Sequence, residues 1–195
     1  IHLLLSGRVS AAIGSDIRPG PLAHAERNAR EHGAALSLRL AAGLDGITPE
    51  ECDAITITGM GGETIAEILA AATWTQSGRH LLVLQAMTML PVLRRWLAGH
   101  GFHTEKECIC RENGKHYLVI AARGGGPVHT LCPVDALAPG LLLADPLAGE
   151  YLSGVLAREQ AALRGMQSGT GVAPERMAEQ AALVAALRIR LEELK

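Results

Sequence analysis

The sequence has little of what marks several large classes of protein. Aromatic residues make up 3% of its 195 residues, so stacking of bases on aromatic platforms cannot be the main way it binds a ligand. The formal net charge is −2, which excludes a uniformly basic nucleic-acid protein and leaves only local basic patches for that purpose. Apolar residues reach 48%, too many for a disordered chain. The length fits one full domain with a small additional part.

Long apolar runs and paired cysteine motifs are also missing. The longest runs, such as residues 81–84 and 141–144, are far too short to cross a membrane, so no membrane contact is expected. The four cysteines match no zinc or redox spacing, and no metal site is expected. The apolar stretch at residues 2–5 has no basic leader or cleavage site, so a reducing cytoplasm is the expected location.

Up to residue 125 the chain alternates between short β-like runs and helical patterns. The predicted strands are residues 11–17, 36–40, 54–58 and 81–84, and the predicted helices are residues 21–32, 63–72 and 90–98. This alternation predicts a parallel sheet with right-handed crossovers. Two further strands, at residues 104–110 and 117–121, flank Asn113-Gly114, which favours a hairpin. The predicted fold is therefore α/β, with a mostly parallel sheet closed by a terminal antiparallel hairpin.

A proline- and glycine-rich stretch separates this part from the rest of the chain. We expect a linker at residues 127–150, between a domain at residues 1–126 and a tail at residues 151–195. Apolar residues of the tail recur at alternating spacings of three and four, which predicts an antiparallel helical hairpin with a coiled-coil seam. Its charge is nearly balanced, so the tail could either extend an RNA contact or form a homodimer.

The predicted order of elements begins without a first strand. In open α/β sheets the ligand lies at the carboxyl ends of the strands, and the glycine-rich turn after the first strand normally supplies part of that site. Residues 1–5 have instead the pattern of a helix end. The next strand ends in Asp16, a carboxylate suited to accept the two hydroxyls of a ribose. We therefore expect a fold whose first strand is absent from this sequence, through truncation.

The most informative motif is Gly59-Met60-Gly61-Gly62, at the carboxyl end of the third predicted strand. Glycines there let a ligand approach the backbone, and the following helix offers free N–H groups. Thr64 stands where the dinucleotide fingerprint needs glycine, and no phosphate-binding Gly-Lys-Ser/Thr follows. The alternative is a tight turn that only packs the helix against the strand.

Several segments recur in the order found in one known family. They are Gly14-Ser15-Asp16-Ile17 with Gly20-Pro21, Ile57-Thr58 with the glycine motif, Leu84-Gln85, Arg94-Arg95-Trp96-Leu97 ahead of Gly101-Phe102, and Glu112-Asn113-Gly114-Lys115 with Tyr117. Together they resemble the bacterial tRNA adenine-N1 methyltransferases that modify the adenine at tRNA position 22. The resemblance covers most of the chain. It implies a class I, Rossmann-like methyltransferase domain that uses S-adenosyl-L-methionine, followed by a C-terminal coiled coil.

The resemblance also implies roles for individual residues. The cofactor would contact Asp16, Ile17, Gly43, Leu44, Gly59, Met60, Gly61 and Gly62. Gln85 would act as the catalytic residue, as a polar acceptor near the amino group of the adenine; the alternative is an amide that caps a turn. The tRNA would be bound by Arg94, Arg95, Arg111 and Lys115; the alternative is a solvated charged rim.

Three departures from the family pattern keep other functions open. The first cofactor motif has no counterpart in this sequence. Ala42 stands where the family has Asp or Asn, which can accept a hydrogen bond from the cofactor's adenine, and Ala86 replaces the usual proline after Gln85. One alternative is a methyltransferase that acts on a different substrate. The other is a non-catalytic RNA-binding or scaffold protein with a degenerate cofactor site.

Overall fold

The computed structural model describes residues 1–194. Its strands are β1 (Ala12–Asp16), β2 (Leu36–Leu40), β3 (Ala54–Gly61), β4 (Leu81–Thr88), β5 (His103–Glu112) and β6 (Lys115–Arg123). Its helices are α1 (His2–Leu5), α2 (Pro19–Glu31), α3 (Gly62–Ala71), α4 (Leu90–Gly99), α5 (Pro133–Leu137), α6 (Ala148–Ser168) and α7 (Pro174–Glu192). The chain forms two compact units: the first comprises residues 1–52 and 67–74, and the second residues 53–66 and 75–194.

The first unit is built on a parallel β1–β2 pair joined by α2. The two strands run in register from Ala12 opposite Leu36 to Asp16 opposite Leu40. A proline at the start of α2 removes an N–H that would have no partner there. The helix ends just before Gly33, whose φ of +64° is the left-handed conformation typical of that position. The predicted strand–helix–strand arrangement is thus present.

The second unit contains a four-stranded sheet in the order β3-β4-β6-β5. β3 and β4 are parallel, whereas β6 runs antiparallel to both β4 and β5. Asn113 and Gly114 join β5 to β6 with φ values of +49° and +73°. Two consecutive positive φ angles are the requirement of a type I′ turn, which fits the twist of a hairpin. The predicted antiparallel end of the sheet is confirmed.

The core of the second unit lies between the sheet and its helices. Alternate residues of the two central strands and the inner face of α4 are fully or almost fully buried: Leu82, Leu84, Leu93, Leu97, Ile120 and Ala122. Such continuous apolar burial supplies most of the stabilising free energy of a sheet of this kind.

Residues 127–150 and the tail pack together in the second unit. The segment contains α5 and a 3-10 turn at Gly140–Ala144. Ala138, Leu152, Val155 and Leu187 form one buried cluster, which joins this segment to α6 and α7. The Nε2 atom of Gln180 donates to the Glu159 carbonyl oxygen, whereas Leu187, further along α7, packs with Leu152 and Val155, which lie earlier on α6. The two helices are therefore antiparallel, as the seam predicts. No helix within residues 1–194 has the length and apolar character needed to span a membrane.

Candidate functional site

In the first unit, the end of β1 is tied to the loop at residues 41–44. The Ala41 N–H donates to the Asp16 carbonyl oxygen at 3.1 Å. The Ser15 hydroxyl donates to the Gly43 carbonyl oxygen at 2.5 Å. These two bonds bring the predicted cofactor residues of the first unit into one place.

The Asp16 carboxylate is open to a ligand. Its Oδ1 atom accepts the Arg18 N–H at 2.8 Å, and the side chain is 31% exposed. Ile17 follows with 67% of its surface exposed, and Leu44 is half-buried. A carboxylate with acceptor capacity left, next to exposed apolar surface, has the chemistry that a nucleoside needs for its sugar and its base.

Gly43 is required by the conformation of the loop itself. Its φ is +55°, and an added Cβ would lie 2.8 Å from the Cγ2 atom of Ile68. Both constraints exclude a side chain whether or not a ligand binds. Gly43 therefore shapes the loop, and the neighbouring Ala42 is exposed.

The glycine motif of the second unit begins inside the strand. β3 continues through Gly61, three residues beyond the predicted end, because the pairing with β4 shifts register on either side of Met60. Such an irregularity re-aims the backbone at the strand end. Gly59 has a φ of +76° and open space where a Cβ would stand. Met60 is 40% exposed.

The last two glycines of the motif are closely packed by the protein. A Cβ on Gly62 would collide with the Met89 carbonyl oxygen, so this glycine allows α3 to start against the turn before α4. A Cβ on Gly61 would lie 3.3 Å from the Thr88 hydroxyl oxygen. The part of the motif that is open to a ligand is therefore Gly59 and Met60.

Gln85 connects the carboxyl ends of β3 and β4. Its Oε1 atom accepts the Gly59 N–H at 3.1 Å, and its Nε2 atom lies 3.5 Å from the Met87 sulfur. This bond is of the turn-capping kind. The amide oxygen has a second lone pair, and the side chain is only half-buried, so it can still accept from a bound group.

The four predicted tRNA-binding residues have different surroundings. Arg94 is 4% exposed, and it is bonded to Glu107 and to the carbonyl oxygens of Ala136 and Leu137. A guanidinium in this position has no surface left for RNA, so the role predicted for Arg94 is corrected to a structural one. Its position on the apolar face of α4, beside Leu97, could have indicated this from the sequence.

The other three cations lie at the surface. Arg95 is exposed on the outer side of α4. Arg111 forms an ion pair with Glu150, with Nη1 and Oε2 separated by 3.0 Å. Lys115 is exposed at the start of β6.

A cavity of about 490 Å³ lies beside Gln85, entirely within the second unit. We call it the α6 cavity; it is lined by Gln85, Ala86, Met87, Lys115, His116, Tyr117, Tyr151, Gly154, Val155 and Arg158. Burial raises the pKa of the Tyr151 phenol, so it stays neutral. The sequence does not show that Tyr117, Tyr151 and Arg158 lie together, because no local pattern connects β6 with the middle of α6.

Comparison with known proteins gives consistent matches. Residues 1–120 match the family described as a methyltransferase domain. Over 164 residues the chain is 34% identical to the tRNA (adenine(22)-N(1))-methyltransferase of Bacillus subtilis, covering 83% of this chain and 65% of that protein. The chain thus spans just under two thirds of the length of this curated relative.

Two solved structures resemble the chain over almost its whole length. The first is the Bacillus subtilis m1A22 tRNA methyltransferase, with 26% identity, a TM-score of 0.80, and 99% of this chain and 85% of that one covered. The second is Streptococcus pneumoniae Sp1610, described as a candidate tRNA (m1A22) methyltransferase and solved in complex with S-adenosyl-L-methionine. It has 26% identity, a TM-score of 0.80, and coverage of 97% of this chain and 85% of that one.

Proposed function

The chain belongs to the methyltransferase domain family, and we propose that it transfers a methyl group from S-adenosyl-L-methionine to N1 of an adenine at position 22 of tRNA. The family resemblance and the Rossmann-like α/β fold predicted from the sequence are both confirmed. The observation that carries the proposal is the 34% identity to the Bacillus subtilis enzyme named for this reaction.

The residues present fit the cofactor. In the first unit, Asp16 offers carboxylate oxygen to ribose hydroxyls, and Ile17 and Leu44 offer apolar surface to the base. In the second unit, Gly59 presents backbone with no side chain in the way, and Met60 is exposed beside it. Gly43 keeps the loop of the first unit in shape, and Gly61 and Gly62 do the same for the strand end of the second unit.

Adenine N1 needs no strong base, because it keeps its lone pair at neutral pH. When bound, the cofactor supplies a methyl group on a positively charged sulfur. The work left to the chain is to align N1 with that methyl group, and positioning alone can lower such a barrier substantially. The product base is cationic, so its amino group becomes a stronger donor. We propose that the free lone pair of the Gln85 amide oxygen accepts from it.

The tRNA contact proposed for this reaction uses Arg95, Arg111 and Lys115, without Arg94. These cations lie on α4 and beside the β5–β6 turn, and they would hold phosphates rather than read bases. The cytoplasm, where tRNA is found, is the proposed location. The seam residues Leu152 and Leu187 are buried within one chain, so they are not available to form a homodimer through the tail.

The test is methylation of an unmodified tRNA transcript by the protein. We expect m1A at position 22, detected by mass spectrometry of nuclease digests, and no product when that adenine is replaced by guanine. Asp16→Asn should weaken cofactor binding at least about ten-fold in calorimetry, since a hydrogen bond to a charged group contributes about 1.5–3 kcal/mol. Asp53→Asn, an exposed aspartate outside the proposed site, is the matched control.

The alternatives predict different results in the same experiment. Cofactor binding without methylation of position 22 would indicate a methyltransferase with another substrate. Absence of cofactor binding would favour the scaffold protein, which the exposed Ala42 also suggests.

A further inference from the structure

The α6 cavity collects side chains that are rare in this protein. The chain has two tyrosines, and both line the cavity. Lys115 and Arg158 lie at the same place, and neither forms an ion pair within residues 1–194. Nearby, Glu150 forms its ion pair with Arg111, at 3.0 Å, and not with Lys115 or Arg158. The cavity thus offers aromatic faces, two unpaired cations and the Gln85 amide.

The two tyrosines are held differently. The Tyr151 hydroxyl donates to the Leu137 carbonyl oxygen at 3.3 Å, and its ring meets His116 edge-on with 6.2 Å between centroids. These contacts hold the Tyr151 side chain in one position at the edge of the cavity. In the part of the chain that the structure describes, the Tyr117 side chain has no such bond, and it is half-buried. Its ring is therefore the one available to a ligand.

We propose that helix α6 is part of the substrate site, and that the α6 cavity receives the unstacked target nucleotide, with the adenine against Tyr117 and its flanking phosphates on Lys115 and Arg158. This inference rests on the proposed function, since it places the acceptor base next to Gln85. The cavity has the size usual for small-molecule sites. Unstacking a paired base costs a few kcal/mol, and contacts away from the reacting atom must supply that energy.

The sharpest test fills the cavity from α6. Gly154 lines it, and an added Cβ would meet no atom within 4 Å, so Gly154→Leu should fold normally. Its side chain would occupy the space of the base, and we expect kcat/KM for tRNA to fall at least ten-fold with cofactor affinity unchanged. Gly165→Leu is the matched control, because Gly165 lies on the same helix, is equally open and does not line the cavity. Wild-type kcat/KM in Gly154→Leu would overturn the inference.

The phosphate contact is tested by charge removal. Arg158→Gln should weaken tRNA binding and lower the slope of log Kd against log salt by about one, the amount expected for one lost phosphate contact. Arg164→Gln removes an exposed charge from the same helix outside the cavity. It should leave both the Kd for tRNA and its salt slope close to the wild-type values. Identical salt slopes for these two variants would contradict the assignment of Arg158.

The stacking contact is tested at Tyr117. Tyr117→Ala should lose about ten-fold in kcat/KM, as is typical for a base stacked on an aromatic ring, whereas Tyr117→Phe, which keeps the ring, should lose less. Equal activity of the two variants would show that the base does not rest there. Failure of the wild-type protein to methylate tRNA would instead reject the proposed function, so the two failures are distinguishable.

Discussion

The guanidinium of Arg94 lies in the interior of the second unit, against the carboxylate of Glu107. Nε and Nη2 of Arg94 are 3.0 and 2.5 Å from the two Glu107 oxygens. Nη1 donates to the carbonyl oxygens of Ala136 and Leu137 at 2.9 and 3.1 Å. Every charged atom of the pair is therefore matched, as a charge removed from water requires.

Removal of one partner should be costly. Arg94→Met leaves the Glu107 carboxylate buried without its counter-charge and removes the side-chain donor of the Ala136 carbonyl oxygen, and we expect the free energy of unfolding to fall by about 3 kcal/mol or more. Urea denaturation measures it. Arg95→Met, at the exposed neighbouring position, should change stability by less than about 0.5 kcal/mol. A similar small loss for Arg94→Met would contradict the role given to the pair.

A second ion pair, between Glu51 and Arg39 in the first unit, should stabilise the fold in a pH-dependent way. The hydrogen bond of Glu51 to Arg39, together with the Thr48 N–H, lowers the pKa of the carboxyl from 4.5 to about 2. A depressed pKa in the folded state means that the contact stabilises fully above pH 4.5 and is lost as the pH falls towards 2. NMR titration of the Glu51 side-chain carbon should show this low pKa. In Arg39→Gln it should move up towards 4.5; an unchanged midpoint would exclude Arg39 as the cause.

At the level of elements, the β5–β6 hairpin depends on its turn. Gly114 has a φ of +73°, a conformation that costs an L-residue about 1–2 kcal/mol. Gly114→Ala should therefore lower the free energy of unfolding by about 1 kcal/mol. Gly99→Ala is the control, because Gly99 is helical and open, so alanine there should be neutral or slightly stabilising. Chemical denaturation of both variants tests the difference, and equal stabilities would exclude the type I′ turn as a constraint.

The helical tail depends on its buried seam. Leu187 on α7 is fully buried in the cluster with Leu152 and Val155, and truncation of such a leucine costs about 2–5 kcal/mol. Leu187→Ala should lose stability in that range. Ile189, two residues further along and 58% exposed, should tolerate alanine with a small change. Equal effects at both positions, measured by thermal unfolding, would mean that the seam is not packed as described.

At the level of the whole molecule, a net charge of −2 limits how tRNA can be held. Binding must come from a few local cations, since the protein as a whole repels a polyanion. With contacts from Arg95, Arg111, Lys115 and Arg158, log Kd should rise with log salt with a slope no steeper than about +4. Titration of tRNA between 50 and 200 mM salt measures it. A much steeper slope would show that a larger basic surface takes part.

The sequence predicted the order and type of the main elements, because hydrophobic periodicity and turn residues are local. The sequence pattern predicted β3 and β4 to be shorter than they are. Their irregular ends, at Gly61 and Thr88, form because the two strands pair with each other. The sequence predicted a surface position for Arg94, because it does not show that Glu107, a distant residue in the chain, is its partner. The α6 cavity was beyond it for the same reason: Tyr117 and Arg158 are far apart in sequence and meet only through packing.

The bonds of Arg94 to the carbonyl oxygens of residues 136 and 137 have one more consequence. They fasten the connection between the four-stranded sheet and α6. Two side chains of the tail bind the same connection: the Tyr151 hydroxyl donates to the Leu137 carbonyl oxygen, and Arg190 donates to that of Ala138. The tail is thereby held rigidly against the rest of the second unit, and not through a flexible connection. A force applied to α6 is therefore transmitted to α4 and the sheet through these bonds.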